Sequence, residues 1–296
     1  MRRQLRQLRH EVTGRARYWG TRAFSKLPQE RRQYWGQRVH GRNGQVAVGA
    51  LTEWYGRAPI GIANGPAAGM AVSTAHLPLD HAHIGSIVRG TLEPAVVEAM
   101  VRTVRPGHVF YDIGANLGYF TLVASRMVGP DGRVIAFEPV PWCVDAVAAN
   151  IALNDLRNAE VRAEAVGERS GHAHLRVVRD ASQSMLASLS RGADTREEID
   201  VDVVAIDDLV AAGAIPPPDV MKIDIEGAEI LALDGMRETI ARHQPRIICE
   251  IHETNAAFAA LMDEVGYRAA NLGGPWAVTD AEAGPHIHVL AEPRDT

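Results

Sequence analysis

Phe110-Tyr111-Asp112-Ile113-Gly114-Ala115-Asn116-Leu117-Gly118 is the stretch that decides how this chain folds. Its apolar beginning suits a short buried strand, and its glycines suit a tight turn into a helix over residues 118–127. A dinucleotide site would carry Gly-x-Gly-x-x-Gly there, with backbone amides and a helix N-terminus facing a pyrophosphate. Here Asp112 stands at the first glycine position and the last glycine comes one residue late. A carboxylate at that point repels pyrophosphate and attracts a cation, such as the ammonium of a methionine moiety. Gly114 lets the backbone approach a ligand closely, while Gly118 is expected to let the helix pack on its strand. These are the features expected of a site for S-adenosylmethionine.

The same alternation continues on both sides. Residues 91–104 read as a helix with Thr91 as N-cap and Pro94 in the first turn. Residues 108–113, 133–137 and 161–166 read as strands, the last two separated by a helix over 141–154. Residues 199–205 alternate and read as an added strand; 220–225 and 246–251 are further strands around a helix over 228–243. Residues 267–271 and 286–291 close the sheet as a hairpin. Alternating β and α implies a mostly parallel sheet with helices on both faces, an α/β protein whose ligands bind beyond the carboxyl ends of the strands. Glu138, in Ala136-Phe137-Glu138-Pro139, ends the second strand, 20 residues after Gly118. An acid there accepts hydrogen bonds from ribose hydroxyls. Ala165 and Val166 end the third strand, beside the expected adenine or as plain core. The expected cofactor contacts are Asp112, Gly114, Ala115, Asn116, Gly118, Tyr119, Glu138, Pro139, Ala165, Val166 and Asp224.

The composition sets the limits. A chain of 296 residues with 46% hydrophobic and 23% charged residues is globular, one large domain or two small ones. It holds no uncharged apolar run of about 18 residues, and its beginning lacks the apolar core of a secretory signal. Cys143 and Cys249 both lie among apolar residues and suit reduced thiols, so the expected location is the cytoplasm. The net charge of −5 hides an asymmetry: residues 1–42 hold 12 basic and two acidic residues. Residues 3–27 read as one or two amphipathic helices, a solvated face or an arm able to meet a membrane surface. Residues 40–90 read as a loop-rich cap. The expected division is an N-terminal arm and cap over 1–85 and a catalytic domain over 86–296, and a homodimer is compatible with the arm.

Several blocks together resemble the FkbM-type methyltransferase family. They are Gly90-Thr91-Leu92-Glu93-Pro94, Asp112 through Tyr119, Val134 through Pro139, Asn150-Ile151-Ala152-Leu153-Asn154, Ala165-Val166-Gly167 and, above all, Lys222-Ile223-Asp224-Ile225-Glu226-Gly227-Ala228-Glu229. They run in family order from Gly90 to His252. The resemblance implies a class I S-adenosylmethionine-dependent methyltransferase with a Rossmann-like, mostly parallel seven-stranded sheet. It also implies, in most members, transfer to hydroxyls of polyketides, sugars or glycolipids.

Two strand ends offer catalytic candidates: Lys222, Asp224 and Glu226 on one, Glu250, His252 and Glu253 on the other. Strand alternation puts Lys222, Asp224 and Glu226 on one face. Only Lys26 and Lys222 are lysines among 31 basic residues, so a compact ammonium is wanted at Lys222, for chemistry or for an ion pair with Asp224 or Glu250. Glu226 can face the reaction or cap the next helix. His252, with an ordinary pKa of about 6.5, is the first candidate for general base and Asp224 the second. Glu93, His81 and His83 are the candidate acceptor contacts. Asp224, Glu250, His252 and Asp80 could surround Mg²⁺, but a salt-bridge network is the favoured reading and no resident metal is expected. The expected partner is a small-molecule acceptor. Alternatives are amine or carboxylate methylation on a small molecule or peptide, a nucleic-acid methyltransferase, and a non-catalytic cofactor-binding protein. The nucleic-acid alternative is weakened because Asp224-Ile225-Glu226-Gly227 lacks the Asn/Asp-Pro-Pro-aromatic pattern of base-amino methylation.

Overall fold

The computed structural model describes residues 59–73, 81–178, 185–186 and 195–294. The helices expected over 3–27 and much of the cap expected over 40–90 lie outside the described residues, as does Asp80. The chain divides into two compact units, Met1–Leu92 with Ala152–Asp155, and Glu93–Ile151 with Leu156–Thr296. In the first, β1 (Ile60–Gly61) pairs antiparallel with β2 (Ala71–Val72), and helix α1 spans His81–Arg89. The Asn154 amide brackets Ala71, accepting from its N–H and donating to its carbonyl, each at 2.8 Å.

The second unit begins with α2 (Pro94–Thr103) and β3 (Val109–Ile113). There follow α3 (Tyr119–Val128), β4 (Arg133–Phe137), α4 (Pro141–Leu153), β5 (Ala159–Arg162) and β6 (Ala165–Val166). A β-rich stretch continues with β7 (Gly171–Val178), β8 (Met185–Leu186) and β9 (Thr195–Val204). Next come α5 (Ile206–Ala211), β10 (Val220–Ile223), α6 (Glu229–Asp234), α7 (Arg237–His243) and β11 (Arg246–His252). The chain closes with α8 (Asn255–Glu264), β12 (Tyr267–Asn271) and β13 (His286–Pro293). The main sheet has the order β12-β13-β11-β10-β3-β4-β5, parallel from β11 to β5, with β13 antiparallel to both its neighbours. This is the class I methyltransferase sheet. Its central strands are covered on both faces, which is why they are apolar apart from Asp112 and Lys222; Phe110, Ile113, Ile135, Met221, Ile223 and Ile247 are fully buried.

Four expectations are corrected. The helix expected from Thr91 begins at Pro94, and Glu93, not Thr91, stands at its N-cap with φ 40°; a residue before proline is sterically barred from helical geometry. The third strand expected over 161–166 splits, with β5 in the main sheet and β6 in a separate sheet of order β6-β9-β7-β8. Strand β7 was not anticipated, although it alternates: Leu175 and Val177 are buried, while exposed His172 and His174 pair with Asp202 and Asp200 across β9 at 2.7 and 2.5 Å. The helix expected over 228–243 breaks into α6 and α7 at Gly235, where a Cβ would lie 2.0 Å from the Gly167 carbonyl oxygen. The Asp207 carboxylate then accepts the N–H groups of Glu238 and Thr239 at 3.0 and 2.8 Å, capping α7 from another element. No helix among the described residues is long and apolar enough to cross a membrane.

Candidate active site

Strands β3, β4 and β10 end around a cleft of about 740 Å³, its open mouth included. Of the expected cofactor contacts, Gly114, Asn116, Glu138, Pro139, Ala165, Val166 and Asp224 line it, and Glu226 joins them. Gly114 has φ 79°, and a Cβ there would lie 1.9 Å from the Asp224 carbonyl oxygen. The turn is therefore pressed against the end of β10, and only glycine fits. The N–H groups of Gly114 and Ala115 both donate to the Phe137 carbonyl, tying the turn to β4.

Glu138 is 5% exposed. Its Oε2 accepts the Asn116 N–H at 2.7 Å and its Oε1 accepts the Val140 N–H at 2.9 Å. Burial pushes its pKa up to about 7 in spite of those two bonds. Each oxygen keeps a lone pair for a ligand hydroxyl. Its place in the cleft, with a glycine turn on one side and Ala165 and Val166 on the other, fits a nucleoside whose ribose is held by a carboxylate.

Four expected contacts lie outside the cleft lining. Gly118 opposes α4, with a Cβ there falling 3.2 Å from Val147, so it admits a helix and not the strand. Tyr119 and Ala115 are buried outside the cleft lining. Asp112 is wholly buried behind the turn. Its Oδ2 accepts the Thr121 hydroxyl at 2.6 Å, and the protein cation acting on it most strongly is Lys222, its register neighbour on β10. Burial nevertheless raises its pKa.

Lys222 is 4% exposed and pairs with Asp224 Oδ2 at 3.0 Å, with the Phe120 ring 4.9 Å away. Burial opposes its charge, but Asp224, Asp112 and Glu93 outweigh burial and keep the ammonium protonated. Lysine suits this place because a compact ammonium fits between two strand-end carboxylates.

The second cluster sits at the end of β11. His252 Nδ1 lies 2.8 Å from Glu229 Oε1, and its Nε2 lies 3.5 Å from Glu226 and 3.6 Å from Glu250. Burial works against its charge, yet the Glu229 hydrogen bond and the charges of Glu229, Glu226 and Asp224 lift its pKa to about 9. The three carboxylates thus favour the imidazolium form of His252, which works against the base role expected from sequence. Glu226, pushed by burial to about 7 despite His252, is better matched to that task. Nor does Glu226 cap the next helix: the Gly227 N–H donates instead to Glu229 Oε1 at 2.8 Å.

His288, on β13 opposite Glu250, extends the network. Its Nε2 lies 3.2 Å from Glu250 and 3.3 Å from Glu93. Burial opposes its charge, but both carboxylates outweigh it and raise His288 to about 10. Burial would raise Glu250 as well, but His288 and His252 hold it below its ordinary range. Sequence reading missed His288 and Glu229; the alternation His286-Ile287-His288 was the available signal. Glu93, Glu226 and Glu253 all take left-handed backbone angles, φ 40°, 51° and 59°. Strain of this kind is held in place only by surrounding structure and gathers at functional sites. Of the other acceptor candidates, His81 and His83 lie on α1, their side chains outside the description. The groups Glu93–Glu250–His288 and Asp224–Glu226–His252 each bring three ligand atoms together. In both, the imidazole must first lose a proton to ligate a metal, so the donor sets suit ion pairing better.

Comparison with known proteins assigns the chain to a family. The chain is 29% identical over 225 residues to the 31-O-demethyl-FK506 methyltransferase FkbM of Streptomyces tacrolimicus, covering 64% of this chain and 82% of that protein. It is 26% identical over 160 residues to the hexuronic acid methyltransferase AglP of Haloferax volcanii, covering 54% and 62%. Among solved structures, methyltransferase FkbM from Methylobacillus flagellatus KT aligns at 18% identity and TM-score 0.42, over 73% of this chain and 56% of that one. The model of the methyltransferase FkbM domain matches residues 112–269, from the cofactor turn to β12. That match spans more than half of the chain, which belongs to the FkbM family of S-adenosylmethionine-dependent methyltransferases.

Proposed function

We propose that the enzyme is an O-methyltransferase acting on a hydroxyl of a small-molecule natural product, sugar or glycolipid. S-adenosylmethionine, when bound, supplies an electrophilic methyl group on a sulfonium. Glu138 would hold its ribose hydroxyls, the Gly114–Asn116 turn its backbone-facing side, and Ala165 with Val166 its adenine.

A hydroxyl acceptor differs from the alternatives in what it asks of the protein. It arrives neutral and must give up a proton, and a placed base adds roughly 10²–10⁴-fold to such a step. The observation that carries the proposal is Glu226, a carboxylate with a pKa of about 7 that lines the cofactor cleft. As the O–C bond formed and the methyl–sulfur bond broke, its electron pair staying on sulfur in the leaving S-adenosylhomocysteine, the hydroxyl proton would pass to a Glu226 oxygen and the hydroxyl oxygen would give an electron pair to the methyl carbon. His252 steadies the ionised Glu226 from 3.5 Å. Asp224 lines the cleft and, fixed from behind by Lys222, would help hold acceptor and methyl in line, where alignment alone is worth effective molarities of about 10⁵–10⁸ M. A carboxylate acceptor needs no base and would meet repulsion from Asp224, Glu226 and Glu250. One relative is named for a 31-O-demethyl compound, which supports oxygen as the acceptor atom.

The test is turnover of methyl-labelled cofactor with matched alcohols, amines and carboxylic acids, products being identified by mass and NMR. Methyl ethers are expected, with Glu226→Gln reducing kcat. N-methyl products or methyl esters, or full activity of Glu226→Gln, would overturn the proposal.

A further inference from the structure

A second hollow, of about 350 Å³ with its open mouth included, lies at the turn end of the β12–β13 hairpin and is bounded by Asn271, Gly273, Trp276, His286 and His288. Nothing in the methyl-transfer chemistry above uses it, yet its walls are continuous with the reaction cluster. His288 lies 3.2 Å from Glu250, and the His286 ring packs edge-on against His252 at 5.2 Å between centroids. One layer of imidazole and carboxylate therefore connects this cavity with Glu226 and the cofactor cleft.

Its lining is unusual for a surface hollow. Trp276 is 44% exposed, one of three large apolar side chains so exposed among the described residues. Its indole is seated on Gly274, where a Cβ would lie 2.6 Å from the ring. Asn271 Oδ1 is occupied by the Gly273 N–H at 2.7 Å, which fixes the amide and leaves its NH₂ group to donate. Neither lysine nor arginine lines the cavity. The charge of His288 is already answered by Glu93 and Glu250. A fixed aromatic plate flanked by an amide donor and imidazoles, with no spare cation, suits a ligand with an apolar ring face, hydroxyls at its edge and no charge.

We infer that this cavity is an acceptor subsite for an uncharged pyranose ring, with Trp276 as its stacking surface and Asn271 as a hydroxyl contact. The inference deepens the O-methyltransferase reading and rests on it for the identity of the ligand as acceptor. The test is direct binding by the full-length protein in saturation-transfer NMR, with methyl β-D-glucopyranoside as probe and methyl β-D-glucuronide as its charged counterpart. The neutral glycoside should bind, roughly five-fold more weakly in Trp276→Ala, and near normally in Trp276→Phe, as expected for an aromatic contact. Affinity for S-adenosylhomocysteine should not move in either variant. No binding of the neutral glycoside, equal binding in Trp276→Ala, failure of Trp276→Phe to rescue, or tighter binding of the glucuronide would each overturn the inference. Because the assay needs no turnover, it separates the two readings: methyl ether formation without glycoside binding sinks the subsite alone, and glycoside binding with only N-methyl or ester products sinks the O-methyltransferase reading alone.

Discussion

Glu138 gives a sharp test of how the cofactor is held. In the free protein it titrates at about 7, because burial outweighs the two backbone N–H groups it accepts. Ribose hydroxyls donate to a carboxylate far better than to a carboxylic acid, so ligand binding should favour the ionised form. The sign follows: affinity for S-adenosylhomocysteine is full above pH 7 and falls as Glu138 takes up a proton below it. At pH 8 about 90% of the free protein is ionised at this site and at pH 6 about 10%, a ratio of roughly nine, or about 1.3 kcal/mol at 1.36 kcal/mol per pKa unit. Calorimetry at pH 6, 7 and 8 should show this fall, with proton release on binding near pH 6 when buffers of different ionisation enthalpy are compared. Glu138→Gln should bind more weakly and lose the pH dependence, since the amide does not titrate. One backbone N–H then faces the amide NH₂, so the variant should also lose about 1–3 kcal/mol of stability. A flat affinity from pH 6 to 8 in the parent, or the same slope in Glu138→Gln, would refute the assignment.

Three further outcomes are expected. Lys222→Met leaves Asp112 and Asp224 buried without their cation, and urea denaturation should report a loss of about 3–5 kcal/mol; an unchanged midpoint would show that the pair is not structural. Gly114→Ala forces a Cβ into the Asp224 carbonyl at a positive φ, so a loss of roughly 2–5 kcal/mol in thermal or chemical melting is expected. In saturating cofactor and acceptor, kcat should rise with pH through about 7 as Glu226 loses its proton, and that limb should vanish in Glu226→Gln while His252→Gln keeps it but moves it to higher pH.

What the sequence by itself determined is the part of the protein written in neighbouring residues. The strand, glycine turn and helix over Phe110–Val128 follow from local period and from where glycine stands. So does Glu138 at the next strand end, and so does the alternation that sets Lys222 and Asp224 side by side. The central strands were readable because burial on both faces leaves them largely apolar, with Asp112 and Lys222 as the charged exceptions. The tertiary structure decided whatever depends on register between distant segments. The antiparallel pairing of β13 with β11 sets His288 opposite Glu250, 38 residues away in the chain. The close approach of Gly167 to Gly235 breaks a helix that local propensity would have continued. The small sheet of β6 to β9 separates Ala165 and Val166 from the strand they appeared to end. Protonation belongs to the same class: His252 has an ordinary imidazole in the sequence and a cationic one in the fold, because Glu229, Glu226 and Asp224 converge on it from other elements. Charge acts through space and burial, and a sequence orders residues only along the chain.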